Sequence, residues 1–480
     1  MGLDTTTIQP VLPGNFDPVN HYYPRVMNAH LNPLVRHFFS MTLERIALRY
    51  CHLNPHVQYD YLLSRLKQPA QHLPWAGCDL MHVTNAFGHR QMVVIETNSS
   101  PSGQKSMPLL NEDDEYNGYK KIIEPLVPHL QRSKKKGGLA VLYDKNPMEA
   151  SGYAATLADM MKETVWLVPF ESTILKDERP HAWFENGELF IRVESEVKCI
   201  RYAHRYVTQK PWNRIPVRTK TRLQNPIVGC LAGGRNKALA AKAYDWYNAQ
   251  IAEHGLRINT PTTIWDVHFS EVPRWVEKMG GYAVIKVPYS NAGQGVYTIT
   301  NTDELEAFKR SEFTYERYVV QSLIGHYNWS SGIDDSEKLF HVGTIPNKRG
   351  EIFVADLRMM VCSTMNGWRP VAMYARRARE PITKIAPQNS WSVLGTNLSG
   401  KLENGVWTTD SSRLLLMDER DFNRLGLSLD EIIEAFVQTV LSVLSINQLA
   451  GTLLNQKKEL KRRIFSGLCN DAELLREIRK

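Results

Sequence analysis

Apolar residues recur along this chain with two periods, and the changes of period divide it. From Pro33 to about Leu66, Phe39, Leu43, Ile46 and Tyr50, then Tyr59, Leu62, Leu63 and Leu66, keep helical spacing and predict two helices. The stretch before them, residues 1–35, is rich in Pro, Asn and Thr and predicts an irregular arm. Two short apolar runs, Cys78–Val83 and Met92–Ile95, flank Asn85-Ala86-Phe87-Gly88 and predict a hairpin over 75–100. Residues 112–132 are helical in pattern, and Lys-Gly-Gly at 136–138 predicts a boundary.

Beyond it, Leu139–Tyr143, Met148–Met161 and Val165–Val168 read as strand, helix and strand, a βαβ unit. Ala182–Phe184 and Leu189–Val193 flank an Asn186-Gly187 turn as a second hairpin, and Val197–Tyr202 predicts a strand ending on Arg201. A Gly-rich turn, Leu231–Lys237, runs into a helix over 238–253. Gly281–Pro288, Val296–Tyr297 and Tyr318–Gly325 predict further strands. Glu351–Thr364 and Pro370–Tyr374, joined through Asn366-Gly367, predict a third hairpin that delivers Arg376 and Arg377 to its end. An amphipathic helix over 429–448 and a charged helical tail over 452–480 complete an α/β pattern.

Length adds that 480 residues make two to four domains. Six cysteines without a CxxC pair point to neither zinc nor disulfides, and so to a reducing, cytoplasmic compartment. No apolar run reaches the roughly 18 residues of a membrane span. Met1-Gly2-Leu3-Asp4-Thr5-Thr6 matches the myristoylation pattern formally, but its aspartate and the absence of a basic cluster mark a chance match. A net charge of +8 favours anionic ligands. No helix-turn-helix, zinc-finger or aromatic RNA-binding signature accompanies it, which disfavours a nucleic-acid partner without excluding one.

The candidate chemistry begins on the first hairpin. Glu96 and Asn98 alternate around Thr97 and share a strand face, with Asp79 across from them. Hard oxygens in this pattern suit Mg²⁺. Arg201, at a strand end, can meet an anionic substrate group. Lys286 precedes a loop of small residues, Ser290–Gly295, whose backbone can close over phosphates. Gln321 and the backbone around Leu323 can bond a base edge. Asp356 and Arg358 share a face, and Asn397 lies in a loop as a further oxygen. The residues alone also allow blander roles: an edge-strand lysine, a structural ion pair, a turn-capping asparagine.

Lys286, the Gly-rich loop, the Gln321 strand, Asp356-x-Arg358, Arg376-Arg377 and Asn397-Leu398-Ser399-Gly400 follow in the order seen in ATP-grasp ligases. The acidic metal pair of those enzymes is missing after Gly400 and reappears near the start as Asp79 and Glu96-Thr97-Asn98. This resembles the circularly permuted arrangement of eukaryotic-type glutathione synthetases. The resemblance implies an α/β (α+β) fold in which two α+β subdomains clasp a nucleotide beside a small Rossmann-like substrate domain. Its divisions would be 1–135 (helices and permuted metal strands), 136–230 (substrate domain), 231–325 and 326–480 (the two subdomains). It implies ATP held by Lys237, Lys286, Ser290, Asn291, Gly293, Gln294, Gly295, Gln321 and Leu323, and Mg²⁺ held by Asp79, Glu96 and Asn98. Arg358 would contact the transferred phosphoryl and Arg376 or Arg377 a tetrahedral intermediate, with Arg201, Ser100, Ser102 and Asn397 on the substrate. The implied reaction is ADP-forming ligation of a small-molecule carboxylate and an amine through an acylphosphate; permuted relatives are often homodimers, and the sequence does not fix the oligomeric state. One departure is that Ser290–Gly295 lacks the glutamate that glutathione synthetases carry there. A small-molecule kinase and a non-catalytic nucleotide- or nucleic-acid-binding protein stay open as alternatives.

Overall fold

The computed structural model describes residues 7–111, 113–170, 180–207, 214–290, 295–311, 315–401 and 407–479. Among these residues the strands form three main sheets and one two-stranded ribbon. In the first sheet, Gly138–Tyr143 and Val165–Pro169 run parallel, joined through the helix Pro147–Met161. Leu139, Ala140, Val141 and Leu142 are buried without alternation, as a strand covered on both faces requires. The order is Gln9–Val11, Val165–Pro169, Gly138–Tyr143, Glu196–Tyr206, Glu188–Val193, Ala182–Glu185, and Arg222–Gln224 pairs parallel to Glu196–Tyr206.

The first sheet departs from two expectations. Residues 1–35 are not an irregular arm throughout. Gln9–Val11 adds an antiparallel edge strand, and Pro18–His21 and Pro24–Met27 form short helices whose Tyr22 and Val26 enter the core. The strand expected to stop at Tyr202 continues to Tyr206, which leaves Arg201 in its middle. A stacked ring and a paired guanidinium carry the extension. His204 stacks on Trp75 at 5.0 Å, and Arg205 donates to the carbonyls of Asn225 and Val207. The helical stretch after Pro33 also divides in three, Pro33–Ser40, Leu43–Leu53 and Tyr59–Lys67. Met41 is extended, and the Thr42 hydroxyl accepts the Arg45 N–H to restart the helix.

The second sheet is antiparallel and runs Leu339–His341, Trp75–Asn85, Ala355–Thr364, Gly367–Arg377, Leu414–Leu415, with Arg90–Ser99 on the other edge of Trp75–Asn85. Residues 75–99 and 339–415 therefore share one sheet although strands of the two other main sheets lie between them in sequence. The Asn85 side chain organises the expected turn by accepting from the N–H groups of Phe87 and His89, and Gly88 takes a positive φ of 82°. Beneath the sheet lies the helix Leu429–Thr452, opened by a capping box between Ser428 and Glu431. It buries Ile432, Phe436, Val440 and Val443 and packs on Arg90–Ser99. Each such side chain contributes about 1.5–3 kcal/mol on burial.

The third sheet, also antiparallel, has the order Thr263–His268, Arg317–Ser322, Ala283–Lys286, Val296–Ile299. Among the described residues no helix is long and apolar enough to cross a membrane.

Candidate functional site

A cleft of about 600 Å³ opens between the second and third sheets, a volume that suits a cofactor-sized ligand. Its floor is one face of the second sheet. Register pairs Asp79 with Glu96 on one side and with Arg358 on the other, and alternation adds Asn98, Asp356, Tyr374 and Arg376. Opposite stand Val284, Lys286, Val296, Thr298 and Gln321 of the third sheet. The loop after Ser99, the turn Asp144–Asn146, the start of helix Lys237–Ile251 and the segment Trp391–Ser399 form the walls.

Two carboxylates and two guanidinium groups interlock on the floor. Arg358 grips Asp79 through Nε at 2.5 Å and Nη2 at 2.7 Å, and Arg376 Nη2 reaches the same carboxylate at 3.0 Å. Arg376 also binds Asp356 through Nε at 3.0 Å and through Nη2. Burial alone would raise the Asp79 carboxyl, but Arg358 and Arg376 outweigh it and hold it well below the usual carboxylate range. Asp356 goes the other way: burial outweighs Arg376 and raises it.

Beside this quartet the hairpin acids meet cations from the other elements. Lys237 lies 3.2 Å from Glu96 and also donates to the Ser290 carbonyl at 2.9 Å. Lys286 donates to the Ile95 carbonyl at 3.1 Å. Burial pulls Lys286 down to about 8 despite Glu96 nearby. Arg235 donates to Asn98 Oδ1 at 3.1 Å and to the Ser99 carbonyl at 3.0 Å. The glycines of Leu231–Lys237 serve close packing: a Cβ on Gly234 would stand 2.6 Å from that of Ser99.

Of the residues singled out in the sequence, Asp79, Glu96, Asn98, Ser102, Lys237, Lys286, Gln321, Arg358, Arg376 and Asn397 all line this cleft. Ser290 touches Lys237, and Gly295 accepts the Val287 N–H. Asn291, Gly293 and Gln294 lie outside the described residues. Four assignments do not match the geometry. Arg201 lies outside the cleft, where it binds Glu163 through both carboxylate oxygens at 2.7 and 2.8 Å, because the strand carries on past it. Arg377 faces away from Arg376 by strand alternation and sits 4.6 Å over the Phe353 ring. The Leu323 backbone is engaged at both ends by Ser331. Ser100 is buried, its hydroxyl donating to the Arg205 carbonyl.

The residues for Mg²⁺ fit in part. Both Asp79 oxygens are held by arginines, and among the described residues no group of three or more His, Cys, Asp or Glu is arranged for a metal ion. Glu96 and Asn98 are two further hard oxygens on one face, a sufficient protein share for Mg²⁺ when phosphate and water supply the rest, but Lys237 stands 3.2 Å from Glu96 and Arg235 donates to Asn98 Oδ1, so a metal ion would share or displace these contacts.

The sequence reading passed over Arg235, Tyr374, Lys105 and the turn Asp144-Lys145-Asn146. The last carried a signal: it follows the buried strand Gly138–Tyr143 and precedes a helix, where α/β folds place ligands.

No family model and no curated protein matches this chain. Among solved structures it is similar to a glutathione synthetase-like effector of Globodera pallida in its apo form, with 11% identity, 77% of this chain and 87% of that chain covered, and a TM-score of 0.40. It is also similar to a RimK domain ATP-grasp protein of Sphaerobacter thermophilus, with 13% identity, 49% and 89% covered, and a TM-score of 0.25. A third is N5-carboxyaminoimidazole synthetase of Staphylococcus aureus in complex with ADP, with 12% identity, 40% and 55% covered, and a TM-score of 0.20.

Proposed function

We propose that this chain is an ATP-dependent ligase that joins a carboxylate to an amine on a circularly permuted ATP-grasp fold. The observation that carries this reading is the meeting of Lys286, from the small sheet, with the acid-bearing hairpin, its ammonium 3.1 Å from the Ile95 carbonyl and next to Glu96. The hairpin 75–99 stands early in the chain yet shares a sheet with 355–377, which is what a permutation would produce. The divisions 1–135, 136–230, 231–325 and 326–480 belong to the same proposal.

ATP would lie with its base among Val284, Val296, Ile324 and Leu394, near Gln321, whose amide N–H₂ is fixed by Thr263 Oγ1 at 2.8 Å. Lys237 and Lys286 then hold phosphates. Glu96 and Asn98 would hold Mg²⁺, which neutralises phosphate charge when bound. Arg358 and Arg376 face the transferred phosphoryl and the oxyanion that forms when the amine adds to the acyl group. Asp79 and Asp356 fix both guanidinium groups beforehand, so little reorganisation is needed as charge develops.

The test is incubation with ATP, Mg²⁺ and hydroxylamine against a panel of amino acids. ADP release with hydroxamate formation supports the ligase. ADP release without hydroxamate points to phosphoryl transfer onto a hydroxyl, and bound ATP without turnover over a broad panel removes the ligase reading.

A further inference from the structure

Two lysines of the cleft take no part in the arrangement so far. Lys105 and Lys145 both line it, and among the described residues neither has a carboxylate within ion-pair distance. Each instead touches neutral groups. Lys105 donates to Asn146 Oδ1 at 3.3 Å and lies 4.9 Å over the Tyr23 ring. Lys145 donates to the Ser100 carbonyl at 3.0 Å and lies 4.7 Å over Tyr206.

The groups between them are polar and linked. Asn146 Nδ2 donates to Ser102 Oγ at 2.7 Å, and the Tyr206 hydroxyl donates to the same oxygen at 2.8 Å. The loop bearing Ser102 is pinned from both sides. Buried Glu149 accepts the N–H groups of Gly103 and Gln104 at 2.9 and 3.1 Å, while Arg358 and Tyr374 donate to the Ser102 carbonyl at 3.3 and 3.2 Å. This corner shares no hydrogen-bond partner with Lys237 or Lys286.

A half-buried lysine without a counter-ion is costly beside other cations, and that cost is relieved when an anion enters. Burial, followed by the Arg235 charge, pulls the Lys145 ammonium well below its ordinary value, and the carboxylates of Asp144 and Glu149 offset this only in part. The uncharged neighbours are hydroxyl and amide groups, which orient an oxyanion without supplying one.

We infer that Lys105 and Lys145, with Ser102 and Asn146, form an anion subsite, and that the molecule activated in this cleft carries a second acidic group besides the carboxylate that is ligated. The subsite is a property of the free protein, whereas the identification of its ligand as a second substrate group rests on the ligase reading. Lys105 and Lys145 set specificity by rejecting a neutral substituent at that position, where two ammonium groups would stay uncompensated.

Pyridoxal 5′-phosphate tests this, because it is an acidic aldehyde that forms an imine with a lysine amine. Borohydride reduction and peptide mapping then fix the position. The expected result is modification of Lys105 or Lys145 that glutarate or inorganic phosphate suppresses, with glutarate alone effective for a carboxylate subsite and phosphate alone for a phosphorylated one. Saturating AMP-PNP with Mg²⁺ should protect Lys237 and Lys286 and leave Lys105 and Lys145 reactive. Lys105→Met and Lys145→Met should each weaken glutarate or phosphate binding about tenfold in calorimetry, with AMP-PNP affinity unchanged. The inference is overturned if neither lysine is modified, if neither anion protects them, or if the variants bind both anions as the parent does. Failure of AMP-PNP to protect Lys237 and Lys286 counts instead against the nucleotide reading, and anion protection of Lys105 and Lys145 would still establish the subsite.

Discussion

Arg358 holds Asp79 in a two-pronged ion pair, Nε to Oδ1 at 2.5 Å and Nη2 to Oδ2 at 2.7 Å, across adjacent strands whose register sets the two residues opposite each other. The residues stand 279 positions apart in the chain, so this contact ties the early hairpin to the late one. Removing the carboxylate leaves Arg358 uncompensated and Arg376 with Asp356 alone. Asp79→Ala should therefore cost about 3–5 kcal/mol of stability, as expected when one partner of a buried pair is deleted. Denaturant unfolding checks this. A loss below about 1 kcal/mol would mean that Asp79 is not an anchor for the arginines.

The neighbouring arginines should separate by strand face. Arg377→Ala is expected to leave AMP-PNP binding intact, since Arg377 lies over Phe353 outside the cleft. Arg201→Ala should do the same and change stability by no more than about 1 kcal/mol, the range of a pair open to solvent on one side. Arg376→Ala should instead abolish turnover in the hydroxylamine assay.

Gly103 offers a backbone test. Its φ of 149° lies in the glycine-favoured region, and a Cβ there would come within 2.3 Å of the Tyr374 ring and 2.6 Å of Met360 Cε. Gly103→Ala should cost about 1–3 kcal/mol and displace the Ser102 carbonyl from Arg358 and Tyr374. Thermal unfolding and glutarate titration would both register the change.

Glu434, on the helix beneath the hairpin, gives a pH dependence away from the cleft. Burial, with the like charge of Glu431, raises its carboxyl to about 8 from 4.5. The folded state then binds more protons than the unfolded state between those values, so stability should fall as pH rises from about 5 to 8. Glu434→Gln should flatten that decline in the thermal midpoint. An unchanged slope would mean that Glu434 ionises normally in the fold.

The sequence made legible what short-range patterns control. Alternation around Thr97 and the Asn85–Gly88 turn were enough to pair Asp79 with Glu96, and the order of later motifs placed Lys286, Gln321, Arg358 and Arg376 beside them. Tertiary satisfaction of polar groups was not legible. Tyr206 ends a strand that looks finished at Tyr202, because Arg205 finds partners on Asn225 and Ser99 from other segments. Asp79 reads as a metal ligand until Arg358 is seen opposite it. Lys105 and Lys145 meet only through Asn146, Ser102 and Tyr206, contacts that no local spacing encodes.

The central claim is that acids from the first hairpin and cations from the later elements build one nucleotide pocket. Calorimetric titration of Mg²⁺–AMP-PNP into the parent protein, Glu96→Gln and Lys286→Met tests it most directly. The account predicts one site in the parent and at least about tenfold weaker binding in both variants, with thermal midpoints close to that of the parent. Absence of binding in the parent, or equal affinity in all three proteins, would contradict it.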